Sequence, residues 1–136
     1  FHDYEENRDY TCSWFQDELE TVFGIDVFSV PYDFSRGYTI LRRENVGVLV
    51  IRLEDLQRSF APAMEDFLGA PGLKLAQVNA AAGKSSWPQY QAVLREFTLP
   101  AELFDRIYSS RYARHFYPPE DRERARARWL RGGALE

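Results

Sequence analysis

The chain is poor in the residues that build metal centres and covalent staples. Its 136 residues include one cysteine, Cys12, and two histidines, His2 and His115. A single cysteine excludes an internal disulfide and fits a reducing compartment. No His/Cys/Asp/Glu grouping has metal-ligand spacing, so no metal is expected. A Cys–His nucleophile would have to bring Cys12 to distant His115, and no pattern supports that. No stretch has the pattern of a secretion signal, and no apolar run approaches the ~20 residues needed to cross a bilayer. The expected location is cytoplasmic. Excess positive charge is also missing: the formal net charge is −4. That argues against a general nucleic-acid binder, whose domains are usually basic. An initiating methionine is absent, and Phe1-His2-Asp3-Tyr4 reads like the interior of a longer protein. A C-terminal fragment of a larger domain is expected.

What is present is enough for a core. The length predicts one domain over residues 1–136, able to bury about two-thirds of its unfolded surface. Aromatics are abundant at 15%, and they bury large areas or line pockets. The most apolar run is Val46-Gly47-Val48-Leu49-Val50-Ile51, followed at once by Arg52, Glu54 and Asp55. β-Branched residues favour a pleated strand. An unbroken run predicts a central strand near 46–53 covered on both faces. Its charged end would then reach a sheet edge, where open α/β sheets bind ligands. There Glu54 or Asp55 either orients a substrate group or caps the next turn and pairs with Arg52. The second reading weighs more.

Helices are expected on both sides. Ser13 to Gln16 and Ser86 to Gln89 match capping boxes. Trp14, Phe15, Leu19, Val22 and Phe23 share one helical face, closed by Gly24. Short strands are read over 26–31 and 38–41, as a hairpin, and over 73–78. Ser59 reads as an N-cap with Pro62 in the first turn, and Gly69 ends that helix. Further helices start at Pro100 and at Pro118-Pro119. The fold class is therefore α/β, helix-rich, with a small sheet.

Two stretches carry candidate chemistry. Gly83-Lys84-Ser85 resembles the end of a phosphate loop, but the first glycine of that motif falls on Val78. Lys84, Ser85 and Ser86 at a helix start still form a plausible anion site; a capped helix with a solvated lysine weighs more. Arg111-Tyr112-Ala113-Arg114-His115-Phe116-Tyr117 interleaves bases with aromatics. It either stacks a base and holds phosphate or folds its rings into the core. The arginines Arg122, Arg124, Arg126, Arg128 and Arg131 read as a solvated helix face rather than an RNA-binding one.

A resemblance joins these pieces. Val48 to Leu56 followed by Phe67-Leu68-Gly69 resembles the later half of sulfotransferase-type P-loop domains. Trp14 to Leu19, Val22 to Val27, Gly37-Tyr38, and Ile107 to Tyr112 with His115-Phe116-Tyr117 resemble the putative capsular polysaccharide synthesis family, which is sulfotransferase-like. That family carries a Lys-Trp-Tyr-Ser type segment; here Lys84-Ser85-Ser86-Trp87-Pro88-Gln89-Tyr90 stands in its place with altered spacing. The resemblance implies sulfate transfer from 3′-phosphoadenosine 5′-phosphosulfate to a carbohydrate hydroxyl, in bacterial polysaccharide synthesis. It implies Lys84, Ser85, Ser86 and Arg114 for the donor, and Trp87 and His115 for the acceptor. It also implies that the donor-cradling loop lies upstream. The chain alone is then expected to be inactive, or completed by an N-terminal segment or a second copy. Two alternatives stand: a non-catalytic interaction domain with the same fold, and a nucleotide-binding module using Gly83-Lys84-Ser85.

Overall fold

A computed structural model describes residues 13–76 and 83–131. Cys12 and Val78 lie outside the described residues. The chain divides into two compact units, 1–75 and 76–136, each described by itself.

The first unit opens with a π-helical stretch, Phe15–Glu20, that runs into one α-turn, Thr21–Phe23 (α1). Gly24 closes it in the left-handed region, as expected. The capping box does not form: the Ser13 hydroxyl instead donates to Asp17 at 2.7 Å. Trp14 packs edge-on against Phe15. Residues Val27–Ser29 form a 3₁₀ turn, not the expected strand, because the Asp26 carboxylate accepts the Phe28 N–H and coils the chain. The hairpin is therefore one element later than the sequence predicts. It pairs β1, Tyr38–Arg43, antiparallel with β2, Val46–Ile51, in the register Ile40 to Leu49.

These two strands are the whole sheet among the described residues. The apolar run is thus a strand, but neither central nor fully buried; every residue of β2 is half-buried. A two-stranded ribbon has no third strand to flank it. What covers it is α2, Leu56–Leu68, which packs on both strands. Gly47 permits the contact: a Cβ there would come within 3.0 Å of the Phe67 ring. Of the apolar residues of α2, Phe60, Met64 and Phe67 are half-buried, Ala63 is fully buried and Leu68 is exposed.

α2 begins earlier than expected. A 3₁₀ turn, Leu53–Asp55, leads straight into it. Ser59 is therefore interior and buried, and its hydroxyl donates to the Arg36 carbonyl at 2.9 Å rather than capping. Pro62 is likewise inside the helix, where it withholds one ladder N–H.

Residues 73–76 have no regular structure, so the described part of the expected 73–78 strand is absent, and the second unit begins at residue 76. Four helices follow: α3, Trp87–Glu96; α4, Ala101–Tyr108; α5, Arg111–Phe116; and α6, Pro119–Arg131. Ser110 caps α5, its hydroxyl accepting the Ala113 N–H at 3.1 Å. Phe104, Ala113 and Phe116 are the buried centre of this unit. Trp129 meets Phe97 edge-on, and its carbonyl accepts the Leu99 N–H at 2.9 Å. No helix among the described residues is long and apolar enough to cross a membrane.

Candidate functional site

The first unit concentrates its charge around one buried carboxylate. Asp55 is 4% exposed. One oxygen accepts Arg52 Nε at 2.6 Å and the Tyr32 hydroxyl at 3.0 Å. The other accepts Arg58 Nη2 at 2.7 Å and Nε at 3.1 Å. Burial pushes the Asp55 carboxyl up, but hydrogen bonds from Arg52, Arg58 and Tyr32 outweigh it and hold the group below the usual carboxylate range. A general base working near neutrality needs a value close to the operating pH. Asp55 is the opposite, a saturated anion. Of the two expected roles at this edge, pairing with Arg52 is the one the structure forms.

The same network ties down the loop before β1. Asp33 Oδ1 accepts the N–H groups of Ser35 and Arg36, both at 3.0 Å. Arg58 donates to the carbonyls of Phe34 and Ser35 at 2.9 and 3.0 Å. Tyr32, pushed above the ordinary tyrosine value by burial, has one hydroxyl proton, shared between Asp55 and the Gly37 carbonyl 2.5 Å away. Gly37 itself has φ +77°, and a Cβ there would lie 2.3 Å from Ser59 Oγ. This side is a structural clasp.

The second unit contains a cleft of about 460 Å³ among α4, α5 and α6. Its α4 wall is Phe104, Asp105 and Tyr108; Arg114 comes from α5; Arg122, Glu123 and Arg126 come from α6. Tyr108 is stacked on buried Phe104, ring centroids 4.2 Å apart. Arg126 is ion-paired with Asp105 and lies over the Phe104 ring. Arg122 Nε is buried and has no hydrogen-bond partner. The arrangement can receive an anion through guanidinium groups and hydroxyls through carboxylates.

The expected site residues fall in two places. Lys84, Ser85 and Ser86 are exposed in the turn that leads into α3. The Ser86 side chain makes no capping bond, and the turn is instead closed by the Trp87 N–H donating to the Lys84 carbonyl at 3.0 Å. The Gln89 amide, with its nitrogen toward the turn, donates to the Ser85 and Ser86 carbonyls at 3.2 Å. Trp87 is half-buried and stacked on Tyr90. None of these lines the cleft; Arg114 does. His115 is half-buried, edge-on to Phe116 at 4.7 Å. Sequence reasoning missed Asp105, Tyr108, Arg122 and Arg126 as site residues. The pairs Phe104/Tyr108 and Arg122/Arg126 are each spaced i,i+4, so each pair shares a helix face, and that was the available signal.

For the 3′-phosphoadenosine 5′-phosphosulfate that the resemblance implies, the exposed Lys84, Ser85 and Ser86 at a helix start are donors of suitable chemistry for an anionic group. No curated protein and no solved structure matches the chain. A family model matches residues 4–118, and on that coverage the chain belongs to the family described as putative capsular polysaccharide synthesis protein (NKWYS).

Proposed function

We propose that the chain is the acceptor-side part of a sulfotransferase-like protein of bacterial capsular or extracellular polysaccharide synthesis. The observation that carries this reading is the cleft of the second unit, where arginines and carboxylates surround an aromatic wall. Apolar rings beside a few convergent polar groups are the usual make-up of a small-molecule site. Sugars present C–H faces to rings and hydroxyls to carboxylates. The family's printed description, polysaccharide synthesis, agrees with a carbohydrate ligand.

In the reaction, an acceptor hydroxyl oxygen forms a bond to sulfur as the bond between sulfur and the 5′-phosphate oxygen breaks. The hydroxyl proton leaves to a base, and 3′-phosphoadenosine 5′-phosphate departs. Donors around the moving group stabilise its charge. Lys84, Ser85 and Ser86 are this chain's contribution on the donor side, and upstream residues supply the rest. Arg114, which lines the cleft, moves from the donor side to the acceptor side, while Trp87 and His115, which the resemblance gives to the acceptor, lie outside that lining. The test is transfer of labelled sulfate to polysaccharide by the protein carrying its upstream segment, together with calorimetry of 3′-phosphoadenosine 5′-phosphate. Binding that weakens in Lys84→Ala supports the reading; no binding and no transfer by the longer protein refutes it.

A second reading is an interaction domain. The observation favouring it is the face of α3, where Tyr90 and Val93 are exposed, with Phe97 exposed just after the helix. Association of the chain that is lost in Val93→Asp, with no nucleotide binding, would establish it. A nucleotide module built on Gly83-Lys84-Ser85 alone predicts nucleotide binding by this chain without upstream residues.

A further inference from the structure

We infer that the cleft among α4, α5 and α6 recognises a sugar unit already bearing one sulfate ester, and so selects the substituted residue of an anionic polysaccharide. The inference rests on the carbohydrate reading above and adds the chemistry of the ligand.

Charge comes first. Three guanidinium groups, Arg114, Arg122 and Arg126, face two carboxylates, Asp105 and Glu123, leaving a surplus of one positive charge on the lining. A sulfate ester carries a single negative charge and cancels that surplus. A phosphate ester is nearly doubly charged at neutral pH, and 3′-phosphoadenosine 5′-phosphate has two phosphates; both overload the site.

The donors are not equivalent. Arg126 is committed to Asp105 and held over Phe104. Arg114 is exposed and lines the cleft. Arg122 Nε is buried yet unsatisfied. A buried donor without a partner is costly and rare in native proteins. Arg122 lines the cleft, as does Arg114 from the preceding helix, so both guanidinium groups are available to an oxyanion bound there. The Asp105 and Glu123 carboxylates, acceptors only, are then left for ring hydroxyls. Tyr108, half-buried with one side on Phe104, supplies the apolar contact.

The test is calorimetric titration of the 136-residue chain with glucose 6-sulfate, glucose 6-phosphate, glucose, inorganic sulfate and 3′-phosphoadenosine 5′-phosphate. Glucose 6-sulfate is expected to bind at least about tenfold tighter than glucose or inorganic sulfate, the equivalent of one charge-assisted hydrogen bond. Arg122→Ala is expected to weaken it by about tenfold, with binding falling further as salt rises. Arg114→Ala, at an exposed position, is expected to weaken it several-fold without moving the melting temperature, which keeps the test valid should Arg122→Ala fold poorly. Equal binding of glucose or of inorganic sulfate overturns the inference. So does glucose 6-phosphate binding tighter than the sulfate. If the adenosine bisphosphate binds and displaces the sugar sulfate, the inference falls while sulfate transfer stands. If the sugar sulfate binds as expected and the bisphosphate binds neither this chain nor the longer protein, the inference stands and the transfer reading falls.

Discussion

Replacing Asp55 with asparagine removes one charge while keeping the side chain's size. In the parent, that charge receives three hydrogen bonds from Arg52 and Arg58 and shares the Tyr32 proton with the Gly37 carbonyl. A hydrogen bond to a charged group contributes about 1.5–3 kcal/mol. The Arg52 and Asp55 side chains are 11% and 6% exposed, so their pair counts nearly in full; Arg58 is 49% exposed, and its share is discounted for solvent screening. Asparagine also takes the Asp55 charge away from the Arg52 guanidinium, and breaking a buried pair from one side costs about 3–5 kcal/mol. Taking the lower end, the loss is ~3 kcal/mol. For a unit of this size the melting temperature should then fall by roughly 12–24 °C. Thermal unfolding followed at the β1 and β2 amides by hydrogen exchange, or by circular dichroism, measures it. The pH dependence gives a second handle. Because the folded carboxyl titrates below its unfolded value of about 3.9, its stabilisation is complete above that pH and is lost as pH falls through the folded value. Asp33 and Asp66 are also held low, the first chiefly by the Ser35 hydroxyl and the second chiefly by the Tyr38 hydroxyl. The difference between parent and variant therefore isolates Asp55, and it should shrink toward zero in acid. A variant that melts within about 4 °C of the parent at neutral pH, or a gap that widens on acidification, refutes the reasoning.

Three further outcomes follow from the geometry. Gly37→Ala should destabilise the first unit by at least about 1–3 kcal/mol by urea titration, since φ is +77° and the new Cβ would collide with Ser59 Oγ. Glu44→Gly should stabilise the hairpin by about 1 kcal/mol, read as a raised melting temperature, because Glu44 has φ +53° in the turn between β1 and β2. Ser110→Ala should cost about 1 kcal/mol in thermal melts, through loss of the hydroxyl that accepts the Ala113 N–H.

Much of the local structure was legible because its causes are local. Val48 to Ile51 form a strand since β-branched residues fit the pleat, and Gly24 and Gly69 end helices in the left-handed region. The burial of β2 was misread. An unbroken apolar run looks the same whether a strand has sheet on both sides or, as here among the described residues, one neighbouring strand and α2. Ser59 was misplaced as a cap because its partner, the Arg36 carbonyl, is 23 residues away in sequence. The cleft was harder still. Arg126 looks like a solvated charge until α4 brings Asp105 and Phe104 beneath it, and Arg122 until it is seen to line the same cleft. Arg114 alone was named beforehand, from its neighbours in Arg111 to Tyr117.

The division into two units has an optical consequence. Trp14 belongs to the first unit, while Trp87 and Trp129 belong to the second. Indole emission therefore carries separable signals: the lone N-terminal fluorophore reports on the Asp55 half, and the other two on the arginine half. Single Trp→Phe replacements would turn one spectrum into two independent melting curves, and any lag between them would measure how far the halves unfold on their own.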